Sequence, residues 1–232
     1  MIDKRSLAVL ELGAVAGLYG LVRAREPAAA AAAPVADVAA LGWSELREVV
    51  RACTACGLCK QRKQAVFGVG SESAPWLFVG EGPGADEDEI GDPFVGQAGR
   101  LLDSMLAAIG IARGREASIA NVVKCRPPGN RTPTPEEAQA CAPFLDRQIE
   151  LLAPKLIVAL GKTAALRFLG AGSAGAGPNG PSLASLRGRA HRYRGIPVVV
   201  TYHPAYLLRT PPEKAKAWED LVFARRLLRE AA

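Results

Sequence analysis

Three cysteines fall within seven residues of the stretch CTACGLC, residues 53–59, in a chain of 232 residues that has only five. Thiolates at C-x-x-C spacing suit a metal better than a disulfide, and an odd total would leave one thiol out of a pure disulfide framework. Cys53 and Cys56 form one such pair, Cys56 and Cys59 have the same local spacing, and spacing does not choose between them. Cys125 and Cys141 supply the remaining sulfurs. Four thiolates serve zinc or an iron–sulfur cluster equally well. A second stretch, GEGPGADEDEIGDPFVGQAG at residues 80–99, combines six glycines with Glu81 and the run Asp86, Glu87, Asp88 and Glu89. Glycines let backbone approach a ligand closely, but this loop has no G-K-[ST] and its acids would repel phosphate. Carboxylates there fit acid/base work or stabilisation of a cation. A third is HPAYLLR, residues 203–209, with one of the chain's two histidines.

These groups need a scaffold. WLFVG (76–80), SIANVVK (118–124), KLIVALG (155–161) and residues 196–201 read as four short buried strands. GRLLDSMLAAIG (99–110), PEEAQACAPFLDRQIELLA (135–153), KTAALRFLG and EKAKAWEDLVFARRLLRE read as helices between and after them. Thr134 is placed to cap the second of these, with Pro135 in its first turn, and Pro143 predicts a kink or break inside it. Alternating strands and helices predict a three-layer α/β/α sandwich with a central, mainly parallel four-stranded sheet. Ligands of such sheets gather beyond the carboxyl ends of the strands. The chemistry-bearing loops after Val79, Val123 and Val200 begin there.

The composition, 49% hydrophobic and 22% charged, is that of an ordinary globular chain, and its net charge of +6 favours a polyanionic partner such as nucleic acid. The apolar run at residues 7–22 contains Glu11 and is short for a membrane span, so it reads as a surface or docking helix. An Ala/Pro-rich linker at 27–36 separates it from the rest, dividing the chain into 1–40 and a main domain at 41–232. No signal peptide stands out, so a reducing cytoplasm is expected, with no membrane role.

GEGPGADEDEIGDPFVGQAGRLLDSML, NVVKCRPPGNRTPTPEE and HPAYLLR closely resemble the motifs of the family 4 uracil-DNA glycosylases, the iron–sulfur uracil-excising enzymes of bacteria and archaea. The resemblance covers about residues 50–230, with the motifs in order. It implies a uracil-DNA glycosylase-like fold and a monofunctional enzyme. Such an enzyme flips uracil out of double- or single-stranded DNA and hydrolyses the N-glycosidic bond. An abasic site is left for base excision repair. It also implies a [4Fe–4S] cluster on Cys53, Cys56, Cys125 and Cys141, with Cys59 an extra thiol, and a chain acting as a monomer.

Residue by residue, the resemblance gives Asn121 the reading of uracil's N3–H and O4, and Phe94 the stacking on the flipped ring. Glu87 is expected near the C5 edge, where thymine carries its methyl. His203 matches the donor to the O2 that gains charge as the bond breaks. Gly82 stands where the wider superfamily often has a water-holding side chain, which leaves Glu81 as the carboxylate candidate. Leu207 and Leu208 are candidates for an apolar wedge into the duplex, and Arg209 for a phosphate contact. Two other readings fit the same sequence: a metal-bound, non-catalytic DNA-binding module, and a glycosylase for another damaged base.

Overall fold

The computed structural model describes residues 38–170 and 181–230, within a compact unit spanning 32–232. The expected N-terminal helix and linker, and most of the loop expected at 170–182, lie outside the described residues. Five strands form one sheet: β1 (Trp76–Gly80), β2 (Ala117–Asn121), β3 (Leu156–Leu160), β4 (Ala190–Tyr193) and β5 (Ile196–Thr201). Their order is β2-β1-β3-β5-β4; β2, β1, β3 and β5 run parallel, and β4 pairs antiparallel with β5. Eight α-helices accompany them among the described residues: α1 (Trp43–Ala52), α2 (Ala85–Ile90), α3 (Gln97–Ala108), α4 (Pro135–Leu152), α5 (Lys162–Leu169), α6 (Leu183–Leu186), α7 (Pro204–Arg209) and α8 (Lys214–Glu230).

The sheet has five strands where four were expected. The missed strand, β4, has the sequence AHRY and no buried residue, so no apolar pattern marks it. It hangs from β5 by a tight turn in which Arg194 and Gly195 both take positive φ, 49° and 84°, the backbone of a two-residue hairpin. The other strands are apolar because both faces are covered. Leu77, Val79, Ile157, Ala159, Val198 and Val200 pack on one face with Val50 of α1, Phe144 and Leu145 of α4, and Phe168 of α5. Trp76, Phe78, Leu156, Val158 and Val199 pack on the other with Leu102 and Leu106 of α3 and Leu221 of α8. Burying each such side chain contributes about 1.5–3 kcal/mol.

Thr134 caps α4: its Oγ1 accepts from Glu137 N at 3.2 Å, and Glu137 Oε2 accepts from Thr134 N at 2.8 Å. Pro143 does not break the helix, which runs unbroken from Pro135 to Leu152. Both Pro143 and Gln139, whose carbonyl loses its donor, are exposed, on the solvent side of the helix. Among the described residues no helix is long and apolar enough to cross a membrane.

Candidate active site

The loops leaving β1, β2, β3 and β5 meet at the carboxyl edge of the sheet around a cleft of about 740 Å³. Its lining includes Glu81, Gly82, Glu87, Phe94, Lys162, Thr163, His203 and Arg209.

The acid-rich stretch after β1 is helical where a loop was expected. Asp86, Glu87 and Asp88 occupy the first turn of α2, where the unpaired amides of a helix start favour negative charge. Glu87 is saturated by backbone. Its Oε2 accepts from Gly84 N at 3.0 Å, and its Oε1 accepts from Val95 N at 2.9 Å and Gly96 N at 3.1 Å. One carboxylate therefore ties the start of α2 to the backbone just after Phe94.

Phe94 takes a φ of 55°, which costs a non-glycine residue about 1–3 kcal/mol unless its surroundings hold it there. Its carbonyl accepts from Arg113 Nη2 at 2.8 Å, and that of Pro93 accepts from Arg113 Nη1 at 2.7 Å. Gly99 leaves room for this carbonyl: a Cβ there would stand 1.8 Å from Phe94 O. The Phe94 ring lies 5.4 Å from the His203 ring, centroid to centroid, at an interplanar angle of 32°.

Asn121 ends β2 opposite Gly80 of β1. It is 2% exposed, and its Oδ1 has no hydrogen-bond partner. A Cβ on Gly80 would meet that Oδ1 at 2.5 Å and Phe94 Cζ at 2.6 Å, so the amide and the aromatic edge are near neighbours. Asn121 is not among the residues lining the cleft; its Oδ1 lies next to the edge of the Phe94 ring. The carbonyl of Asn121 accepts from the ammonium of Lys124 at 3.0 Å. Lys124, 1% exposed, also donates from Nζ to Gln148 Oε1 at 2.6 Å and from its backbone amide to Cys141 Sγ at 3.2 Å.

His203 is the N-cap of α7, its Nδ1 accepting from Ala205 N at 3.2 Å. Burial, reinforced by the Arg209 charge and opposed by Glu87, pushes the imidazole down to a pKa of about 4. It is therefore neutral near pH 7, with its proton on Nε2, because Nδ1 is occupied as an acceptor. Gly161, at a φ of 92°, opens the strand end for it: a Cβ there would stand 3.1 Å from His203 Cβ. Glu81 accepts from Thr163 Oγ1, on the first turn of α5. Gly82 sits against Val123, whose Cγ2 would be 2.8 Å from a Cβ at position 82.

The wedge candidates divide. Leu207 is 1% exposed and packs with Tyr202 and Ala217, so it is part of the protein's interior, which overturns the expectation for it. Successive residues of a helix turn point about a quarter-turn apart, and Leu208 faces out at 40% exposure. Sequence reading missed Thr163, Lys162, Arg113 and Arg131. The first two directly follow Gly161 at the carboxyl end of β3, a position that the strand-end rule flags. Arg131 lines the cleft while paired to both oxygens of Glu137, at 2.8 and 2.6 Å.

All five cysteines line a second, small cavity with Val50, Arg62, Lys124 and Phe144. Cys125 Sγ accepts from Arg62 Nη1 at 2.8 Å and Cys53 Sγ from Ala55 N at 3.4 Å, donors of the kind that stabilise thiolate sulfur. As a free thiol, Cys141 is pushed up to about 12 by burial, with Lys124 opposing. Among the described residues no three His, Cys, Asp or Glu side chains are grouped for a single metal ion.

Fold and cleft together define an α/β protein with an aromatic ring, an imidazole and an unpaired amide oxygen at the carboxyl edge of its sheet. The chain belongs to the uracil DNA glycosylase superfamily, whose family model matches residues 67–222, and within it to the type-4 group. It is 43% identical over 181 residues to the type-4 uracil-DNA glycosylase of Pyrobaculum aerophilum, covering 76% of this chain and 90% of that protein. It is 48% identical over 163 residues to the type-4 enzyme of Thermotoga maritima, covering 70% of this chain and 81% of that one.

Proposed function

We propose that the protein is a monofunctional uracil-DNA glycosylase that hydrolyses the bond between uracil N1 and the deoxyribose C1′. The observation that carries the reading is the buried, partnerless Oδ1 of Asn121 beside the Phe94 ring. An orphaned buried acceptor costs about 1–3 kcal/mol, and the N3–H of uracil is the donor that removes that cost. Cytosine has an acceptor at N3 and a donor at the 4-position, so the same amide orientation rejects it.

The base leaves the stack at a cost of a few kcal/mol. Stacking on an aromatic platform returns about 1–3 kcal/mol, a role that falls to Phe94. Negative charge grows on O2 as the glycosidic bond lengthens. A neutral His203 presenting Nε2–H donates to that oxygen without losing its proton. The sugar becomes cationic, and the role of stabilising it and orienting water falls to Glu81, a reading supported by the Thr163 hydroxyl that holds its carboxylate. Gly82 contributes space and backbone, and Glu87 acts by shaping the loop that carries Phe94. Leu208 fills the vacated stack and Arg209 meets backbone phosphate. The catalytic domain is residues 41–232, acting as a single chain on double- or single-stranded DNA in the bacterial cytoplasm.

Cys53, Cys56, Cys125 and Cys141 would hold a [4Fe–4S] cluster, supported by the cavity they share and by the amide and guanidinium donors on their sulfurs. Bound there, the cluster supplies a structural cross-link between residues 53–56 and α4. The test is release of free uracil from U·G, U·A and single-stranded oligonucleotides, with His203→Ala alongside. Release without strand cleavage, lost in the variant, is the expected result; an active His203→Ala protein would falsify the assignment of that residue.

A further inference from the structure

Arg113 is the residue that fixes the aromatic platform. It lies outside the cleft, with its side chain 21% exposed. Its guanidinium makes three bonds: Nη1 to Pro93 O at 2.7 Å, Nη2 to Phe94 O at 2.8 Å, and Nε to Asp103 Oδ1 at 2.8 Å on α3. Two consecutive carbonyls are thus gripped by one planar group, which Asp103 holds in orientation. A lysine could not repeat this, since its ammonium has no rigid fork to span two acceptors.

The grip falls where the backbone needs it. Phe94 stands at a φ of 55°, a region that phenylalanine does not occupy unaided. Glu87 secures the amides of Val95 and Gly96 on one side, and Arg113 secures the carbonyls of Pro93 and Phe94 on the other. Gly99 admits the Phe94 carbonyl to within a distance that no side chain would allow. The ring of Phe94 is left against His203 and next to Asn121 Oδ1.

We propose that Arg113 is a positioning residue for base binding: it holds Phe94 in its left-handed conformation and so sets the plane on which the flipped pyrimidine rests. This rests on the reading of Phe94 as that platform. The experiment uses the full-length, cluster-loaded chain in four forms beside the wild type: Arg113→Met, Arg113→Lys, Phe94→Ala, and Phe94→Ala combined with Arg113→Met. Each is measured for single-turnover excision, for inhibition by free uracil, and for Tm, at a temperature well below every Tm.

Arg113→Met is expected to lose roughly tenfold to a hundredfold in the single-turnover excision rate, as small misplacements near reacting groups do. Uracil inhibition is expected to weaken in step, and the double variant is expected to match Phe94→Ala alone, since a positioning residue has nothing left to position. Should Arg113→Met not fold, Arg113→Lys carries the same comparison. Multiplicative losses in the double variant, or a fully active Arg113→Met protein, would overturn the proposal. If Phe94→Ala itself excises uracil and is inhibited by it as the wild type is, the platform reading fails first.

Discussion

The backbone amide of Ala205 donates to Nδ1 of His203 at 3.2 Å, and that bond leaves Nε2 as the nitrogen that carries the proton of the neutral ring. Burial, reinforced by Arg209, places the pKa at about 4, so the neutral ring persists to about pH 5. Excision is expected to show no loss attributable to His203 between pH 8 and about pH 5, and to fall below that as the ring charges. Arg209→Gln removes one cause of the depression, so the acidic limb is expected to move to higher pH. A limb that stays in place, or moves down, in single-turnover pH profiles would contradict this. Stability follows the same sign. Between pH 6.5, the usual value for histidine, and about 4 the unfolded chain binds more protons at this site. The stability contribution of the neutral ring is therefore full above 6.5 and lost as the pH falls toward 4.

Asn121→Asp replaces the amide with a group that only accepts near neutral pH. It cannot donate to O4, and it sets two acceptors against each other at that oxygen. Uracil excision is expected to fall by at least tenfold, or about 1.4 kcal/mol, with Tm changed much less than activity. Competition kinetics with U- and C-containing oligonucleotides read the change in preference directly.

Gly80→Ala puts a methyl about where Asn121 Oδ1 and the Phe94 ring edge already stand, at 2.5 and 2.6 Å. Gly99→Ala drives a Cβ into a backbone carbonyl at 1.8 Å. Both are expected to lower activity, and Gly99→Ala to lower Tm more, because a backbone atom inside a packed turn cannot rotate away. A cost of about 1–3 kcal/mol is usual for overpacking of this kind. Thermal melts and uracil inhibition on the two variants separate the effects.

Thr163→Val keeps the shape of the side chain and removes the hydroxyl that holds Glu81. The expected result is a lower kcat with little change in DNA affinity, and recovery in Thr163→Ser. In a Glu81→Gln background the Thr163 substitution should add much less than it does alone. Independent, multiplicative effects would separate the two residues.

Cys141→Ala is expected to abolish iron retention and to lower Tm, because it removes a sulfur from the middle of α4. Cys59→Ala is expected to keep iron, although Cys59 lines the same cavity. Iron per chain and the absorbance near about 400 nm measure both. Stoichiometric zinc in the wild-type protein would reverse the choice of metal.

Much of this was legible in the letters. Apolar runs such as WLFVG and LIVAL announce buried parallel strands, and the loops after them hold the cleft residues. The capping of α4 was legible too, because Thr134 and Glu137 act through local spacing. What escaped was set by tertiary contact. β4 has no apolar face, and its signal was the Arg-Gly turn before β5. Leu207 and Leu208 are alike in type, and only packing sends one inward and the other outward. Nothing in the sequence near Arg113 pairs it with carbonyls nearly twenty residues earlier. Nor does any local pattern reveal that Asn121 sits beside Phe94, an effect of the Gly80 pairing.

Lys124 touches both ends of the molecule's business at once, its main-chain N–H on Cys141 and its ammonium on the carbonyl of Asn121. The cysteine-lined cavity and the end of β2 are therefore tied together through this residue. A shift of the helix that carries Cys141 would be passed along this side chain and its main chain to the end of β2.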